Sequence, residues 1–511
     1  MAGLLRNIGL IVLFIAFIPV LFLGIFDLDE GAFASTSIQM LIDEQYFIPT
    51  IGEDIRLEKP ILSYWVQAIS ISIFGANEFA LRFPSFLASL VWAYTFTNFV
   101  KEQDRSFVGS NIFLIFFTLP GIFLISFAAT ADAFLNTLIS LTLISLYKYS
   151  QNKKASHLNN AAIFIGIGFL VKGLTIIFIP GMIFFLYSLF TGQTRNFFTV
   201  LFSFKPWAIF FLIVIPWTFL VYLRLDFDAV AYLFLGQSFG RFSNTFESHA
   251  GPIYYYLLIL PFLVLPFFTD FLKGLFNLKL RSNKLDMFFA IWFFFVLIFF
   301  SFSSTKLPHY LIYGLAPAAY FIEKYHLKNS NKPLSLLGLI FQTVIWSFLF
   351  AFPFYLQYLN DFMQTFEVSS VAIDAFVADY AYKILVGLTF LGILVCFFLR
   401  MKAAKIKKMA ALAFIVILSF KITPFLHQTA QGNIKELGLY ARDSDKEISM
   451  FKVNKPSYAF YARKKSFRGP RPDALILTRR DKLDQIDFSY QIIKESENYL
   501  IVEIEHDENK Q

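Results

Sequence analysis

The residues best suited to chemistry in this chain lie in one acidic stretch, "DLDEGAFASTSIQMLIDEQYFIPTIGEDIRLEKPILSYW", from Asp27 to Trp65. Asp29 and Glu30 stand side by side at its start, and Glu58, Lys59 and Pro60 form a second charged group near its end. Further polar side chains stand at the ends of apolar stretches: Arg82, Asp132, Lys172, Arg241, His249, Lys306 and Tyr310. A carboxylate takes the proton of an attacking hydroxyl, while Lys and Arg neutralise a phosphate and stabilise the charge growing on it as it leaves. This set therefore suits transfer of a group from a phosphate-activated lipid. Asp29 is the natural base, and Lys59, Arg241 and Lys306 are natural phosphate cations.

The elements that must position these residues are membrane helices. The chain has 511 residues, of which 57% are apolar, 19% aromatic and only 16% charged. A soluble fold of this length could not bury that much apolar surface, so the bilayer is its solvent. About thirteen apolar stretches approach spanning length, among them Ile8 to Phe26, Met287 to Phe302 and Leu336 to Phe352. The first reads as an uncleaved anchor, although "AFAS" at Ala32 to Ser35 has the small residues of a signal-peptide cleavage site. The 69 phenylalanines read as lipid-facing packing.

Lys and Arg in the short loops, such as Lys148, Lys153, Lys154, Lys402, Lys405 and Lys407, fall on one side, which predicts a cytoplasmic N-terminus. The formal charge of +8 follows from these loops and does not call for nucleic acid. The acidic loop 27–82 then faces outward, and an odd number of spans puts the C-terminus outside as well. The single cysteine, Cys396, excludes a disulfide within the chain.

Loop 27–82 reads as ordered. Ala34, Ile38, Leu41 and Ile42 recur at helical spacing and predict a surface helix with its apolar face on the membrane. Pro60 opens a second helix that carries Leu62, Trp65, Val66, Ile69 and Ile73 on one face and ends at Gly75. From about residue 430 the composition turns charged. Strand-like runs at 447–453, 474–480 and 499–505, with a helix-like run at 433–441, predict a small mixed α/β domain. The predicted division is therefore a membrane domain over 1–429 and an external domain over 430–511.

"DLDEGAFASTSIQML", "EKPILSYW", "FGANEFALRFPS", "TADAFL", "GFLVKG", "GRF" at 240–242 and "STKLPHYL" occur in the order and rough spacing of the GT-C glycosyltransferases. The chain most resembles the bacterial lipid A aminoarabinose transferases, relatives of the protein O-mannosyltransferases. The resemblance implies a GT-C helical bundle in the bacterial inner (plasma) membrane with a periplasmic C-terminal domain. It also implies an undecaprenyl-phosphate or other polyprenyl-phosphate sugar as donor, with no nucleotide cofactor. By that resemblance Asp29 is the catalytic aspartate, Glu30 its neighbour and Asp132 an acid of the cavity. Lys59 and Arg241 are the cations on the lipid phosphate, and Glu58 with His249 forms a zinc site. Arg56 and Phe33 replace tyrosines of the family pattern, close to where donor or acceptor would lie.

Two functions follow. The first is a glycosyltransferase acting on a lipid, lipid-linked glycan or protein acceptor, with Arg56, Arg82, Lys172 and Tyr310 as further substrate contacts. The alternative is a transporter or flippase of polyprenyl-linked or other amphipathic lipids. Against it, the span centres carry almost no charge and the sequence shows no internal repeat.

Overall fold

The computed structural model describes residues 2–237, 251–358, 370–496 and 498–504. Among them, six helices are long and apolar enough to cross a membrane: Glu78–Gln103, Phe204–Arg224, Lys284–Phe302, Leu336–Tyr358, Tyr380–Phe398 and Ala403–Gln431. Two bent pairs raise the number to eight if each is one span. Gly109–Thr118 meets Pro120–Phe127 at 78°, and Tyr255–Leu263 meets Phe268–Phe276 at 112°. The first break has a local cause, since Pro120 lacks an N–H and holds Leu119 in extended backbone.

The count of about thirteen also took in shorter or less apolar helices. Helix Asp132–Asn152 belongs to these and buries Asp132, Asn136, Thr137, Ser140 and Thr142. Its polar side faces protein, so its mean hydropathy understates its fit to the bundle. Outward-facing residues on the spans are large and apolar, with Leu212 and Phe398 each 77% exposed, as lipid contact requires. The bundle core is aromatic, with Trp92, Trp292 and Trp346 fully buried.

The two helices expected in loop 27–82 form. The first span, α1 (Ala2–Phe22), leads into α2 (Asp29–Ile42). Ala34 and Ile38 of α2, expected to face the membrane, pack with Phe460 and Tyr461 of the C-terminal residues, and the helix is buried from Glu30 to Met40. A short hairpin, β1 (Thr50–Ile51) and β2 (Asp54–Ile55), turns at Gly52. Then α3 (Leu62–Phe74) ends at Gly75, whose φ of 81° admits glycine readily. Its predicted apolar face points outward, with Ile69 and Ile73 exposed, while Ser63, Gln67 and Ser70 face in. Gln67 turns this polar side inward, since it accepts from Ser37 Oγ (2.9 Å) and donates to the Ala129 carbonyl (2.9 Å).

The C-terminal residues form a five-stranded sheet in the order β4-β3-β5-β7-β6. Its strands are β3 (Glu447–Met450), β4 (Ser466–Arg468), β5 (Ala474–Arg479), β6 (Tyr490–Ser496) and β7 (Tyr499–Ile504). β3 pairs in parallel with β4 and β5, and β5–β7–β6 is antiparallel. Helices Ile434–Arg442 and Ser457–Ala462 cover one face around Leu437, Tyr458 and Leu477.

Candidate active site

Three cavities meet at the external loop. A polar chamber of about 650 Å³ is lined by Asp29, Arg56, Glu58, Arg224, Asn454 and Arg468. An apolar groove of about 550 Å³ runs along Phe178, Phe299 and Phe300 and ends at Lys59, Lys172 and Tyr310. A third cavity of about 400 Å³ holds Asp29, Asp132 and His309 together. Glu58 borders both the chamber and the groove, so the "EKP" segment is the partition between a polar and an apolar space.

Asp29 is the first residue of α2, where exposed backbone N–H groups favour a carboxylate. Its side chain is exposed and has no hydrogen bond or ion pair among the described residues. The carboxylates around it are engaged. Asp132 accepts from Lys172 Nζ (2.6 Å) and from the Tyr313 hydroxyl (2.7 Å), with His309 Nε2 3.9 Å away. Lys172 also donates to Tyr313 (2.8 Å) and lies 5.6 Å from the centre of the Tyr310 ring. Lys172 thus faces the groove on a fixed mount, which Asp132 supplies. Lys59 is half-buried at the other side of the groove mouth and donates to the Glu58 carbonyl (3.1 Å).

Several sequence expectations need correcting. Glu30, expected to be catalytic, and Arg82, expected to bind substrate, are buried against each other. The guanidinium donates to both Glu30 oxygens (3.0 and 2.6 Å) and to the carbonyls of Val20, Leu23 and Gly24. Burial alone would raise the Glu30 pKa, but the Arg82 charge and the hydrogen bonds from Arg82 and the backbone N–H groups of Phe26 and Ala129 together outweigh it and hold the carboxyl below its ordinary value. The pair braces the turn from α1 into α2. Asp132, expected as a catalytic acid, lines the third cavity with Asp29 and pairs there with Lys172. Lys306, expected as a phosphate cation, is buried and donates to the carbonyls of Ser301 (3.0 Å) and Ser303 (2.5 Å), capping the end of helix Lys284–Phe302. A lysine at a helix C-terminus meets the orphan carbonyls there, which is why it turns away from the cavities.

Arg56 does reach the chamber, 3.0 Å from Glu58 and 3.1 Å from the Tyr64 hydroxyl. Its guanidinium lies 6.0 Å from the centre of the Phe33 ring, which stacks on Tyr64 at 5.1 Å. The two departures from the family pattern are therefore neighbours that pack as a pair. Glu58, expected as a zinc ligand with His249, lies 3.0 Å from Arg56 through one carboxylate oxygen. Arg241 and His249 lie outside the described residues. Among the described residues no three metal-ligating side chains cluster.

Sequence reasoning passed over His309, Tyr313, Arg224 and Arg468. His309 carried a signal, being a histidine beside Tyr310 in "KLPHY". The other three carried none that spacing could show.

Comparisons with known proteins agree with this architecture. Residues 58–220 match the family model described as dolichyl-phosphate-mannose-protein mannosyltransferase. An undecaprenyl phosphate-alpha-4-amino-4-deoxy-L-arabinose arabinosyl transferase of Wigglesworthia glossinidia brevipalpis is 30% identical over 348 residues. That match covers 66% of this chain but only 61% of the relative's own length. The Proteus mirabilis enzyme of the same name is 27% identical over 317 residues, 60% of this chain and 56% of the relative. Among solved structures, ArnT from Cupriavidus metallidurans bound to undecaprenyl phosphate superposes with a TM-score of 0.80. The superposition covers 98% of this chain and 97% of that one at 17% identity, which establishes the fold.

Proposed function

We propose, from the premise that the chain belongs to the GT-C superfamily that takes in the aminoarabinose transferases and the protein mannosyltransferases, that it moves a sugar from a polyprenyl-phosphate donor to an acceptor at the external face of the bacterial inner membrane. The observation that supports this reading most is the meeting, at "EKP", of an apolar groove ending in two lysines with a polar chamber holding a carboxylate, Asp29, that is unpaired among the described residues. The donor's tail lies in the groove, its phosphate between Lys59 and Lys172, and its sugar in the chamber. Arg241 is a third phosphate cation by resemblance.

In the transfer, Asp29 accepts the proton of the acceptor hydroxyl. The acceptor oxygen bonds to the anomeric carbon as the bond from that carbon to the phosphate oxygen breaks. The phosphate leaves with the bonding electrons, and the two lysines hold the charge. Where the acceptor oxygen is itself a phosphate, no proton needs removing and Asp29 orders the site.

Asp29→Asn keeps the size of the side chain and removes its basicity. We expect transfer to fall by about 10²- to 10⁴-fold, the usual worth of a general base, with unchanged yield of folded protein. The measurement is mass spectrometry of membrane lipids and surface glycans from cells with the wild-type protein, the variant or neither. The variant should lose one sugar from one acceptor and accumulate the polyprenyl-phosphate donor. Transfer at more than a tenth of the wild-type rate would remove Asp29 from the chemistry.

A further inference from the structure

The C-terminal domain touches the catalytic loop at the two places that frame the polar chamber. Ser457, first residue of helix Ser457–Ala462, donates from its backbone N to Asp27 Oδ1 (2.9 Å) and from its hydroxyl to Oδ2 (2.5 Å). One residue thereby holds both oxygens of a side chain two positions before Asp29. Gln431 adds a hydrogen bond to the Asp27 carbonyl (3.3 Å). The approach is so close that a Cβ at Gly31 would lie 1.7 Å from Asp27 Oδ1 and 2.9 Å from Ser457 N. On the far side, the tip of the β1–β2 hairpin rests on β4. Gly52, at φ 61°, leaves room for the Ser466 carbonyl, which would stand 2.5 Å from a Cβ there.

Docking of the domain does not depend on Ser457. Phe460 and Tyr461 pack with Ile25, Ala34, Ile38 and Leu81 in an apolar cluster of their own. The Tyr461 hydroxyl donates to Glu78 (3.0 Å) and accepts from Ile25 N (2.9 Å), while Lys435 pairs with Glu78 (2.5 Å). The contact with Asp27 is additional to that dock, and it acts on the short segment that leads into Asp29. Asn454 and Arg468 of the same domain line the chamber.

We propose that the C-terminal domain is a positioning element of the active site, with the Ser457 clamp on Asp27 fixing where Asp29 stands. This rests on the transferase reading. Misplacing a catalytic group by about 1 Å is enough to cost as much as 10²-fold in rate, so the clamp should act on kcat more than on donor binding.

The test compares full-length wild type, Ser457→Ala and Ser457→Thr in lipid nanodiscs, with a polyprenyl-phosphate sugar as donor. Ser457→Ala should lower kcat about tenfold and leave KM for the donor within about twofold, and Ser457→Thr should restore kcat. Hydrogen exchange at the amides of 27–33 should speed up in Ser457→Ala, with the melting temperature held by the Phe460 and Tyr461 dock. An unchanged kcat overturns the proposal. So does a fall in kcat that Ser457→Thr fails to restore and that comes with a lower melting temperature. If wild type transfers nothing, the transferase reading fails on its own, and the exchange at 27–33 still decides the clamp: no change there overturns it.

Discussion

The two ends of the helix bundle both carry buried charge, and they use it differently. At the lysine-rich end, Asp270 binds Lys407 and accepts from His326 Nε2 (2.7 Å). Glu323 accepts from Lys408 (2.9 Å) and from Asn111 (2.8 Å). Asp286 takes the Tyr320 hydroxyl (2.6 Å), the backbone N of Lys279 (2.7 Å) and Lys324. Every carboxylate there is committed to a cation or a matching donor. At the other end, one helix length away along Lys284–Phe302 or about 28 Å, Glu30 and Asp132 are committed in the same way and, among the described residues, Asp29 is not. A saturated buried pair is costly to break from one side, so its members stay fixed on each other. A carboxylate left without a partner beside such a network, inside a cavity, is what a reaction can use.

That contrast is sharpened by removing charge at each end. The largest effect on stability is expected from Asp270→Asn. It leaves the buried Lys407 ammonium without its counter-charge, and breaking a buried pair from one side costs about 3–5 kcal/mol. Thermal melts of the purified protein should show a sharp fall, and whatever protein stays folded should keep its turnover number. A variant that melted like wild type would make the lysine-rich network ornamental and erase the distinction.

Glu30→Gln probes the opposite end, where a satisfied pair adjoins the working residue. Arg82 would keep its three carbonyl partners but lose the carboxylate, so we expect a loss of about 2–3 kcal/mol, the worth of a hydrogen bond to a charged group with its desolvation. Turnover should fall in the same variant, because the brace sets the turn between α1 and Asp29. Melting temperature and kcat measured on one preparation check both. A drop in kcat with no change in melting would make Glu30 a participant in the chemistry and no brace.

Local chemistry in this molecule was legible in the sequence and long-range chemistry was not. The acidic loop, the helix starting after Pro60 and its end at Gly75 follow from caps and periodicity, as do β3, β5 and β7. The placement of α2 was misread, because a helix sandwiched between two protein layers has apolar and small residues on every side, and Ala34 and Ile38 cannot say which layer they meet. The face of α3 was read as apolar without its direction, since only Ser37 and the Ala129 carbonyl tell Gln67 to point inward. Lys172 and Asp132 were each singled out, yet their pairing spans forty residues. Ser457 meets Asp27 across 430 positions, and no spacing rule reaches that far.

The smallest effect distinguishes Asp27, which is engaged but poorly solvated, from its neighbours. Burial pushes its carboxyl up from 3.8 to about 6, against the pull of Ser457 and Lys455, with Glu30 adding to the rise. Arg82 and His427 close the same corner, through the Gly24 carbonyl and against the Phe26 ring. A carboxyl whose folded pKa lies above its unfolded one stabilises the fold fully below the unfolded value, here 3.8. That contribution is lost as pH rises through about 6. Two pH units at about 1.4 kcal/mol each bound the effect at about 3 kcal/mol. Asp27→Asn is neutral throughout, so its melting temperature should lack this dependence. Melts at steps from pH 4 to 7 should show wild type losing ground to the variant as pH rises. Parallel curves would mean that Asp27 is solvated in the folded protein, and the corner beneath Ser457 would then be open.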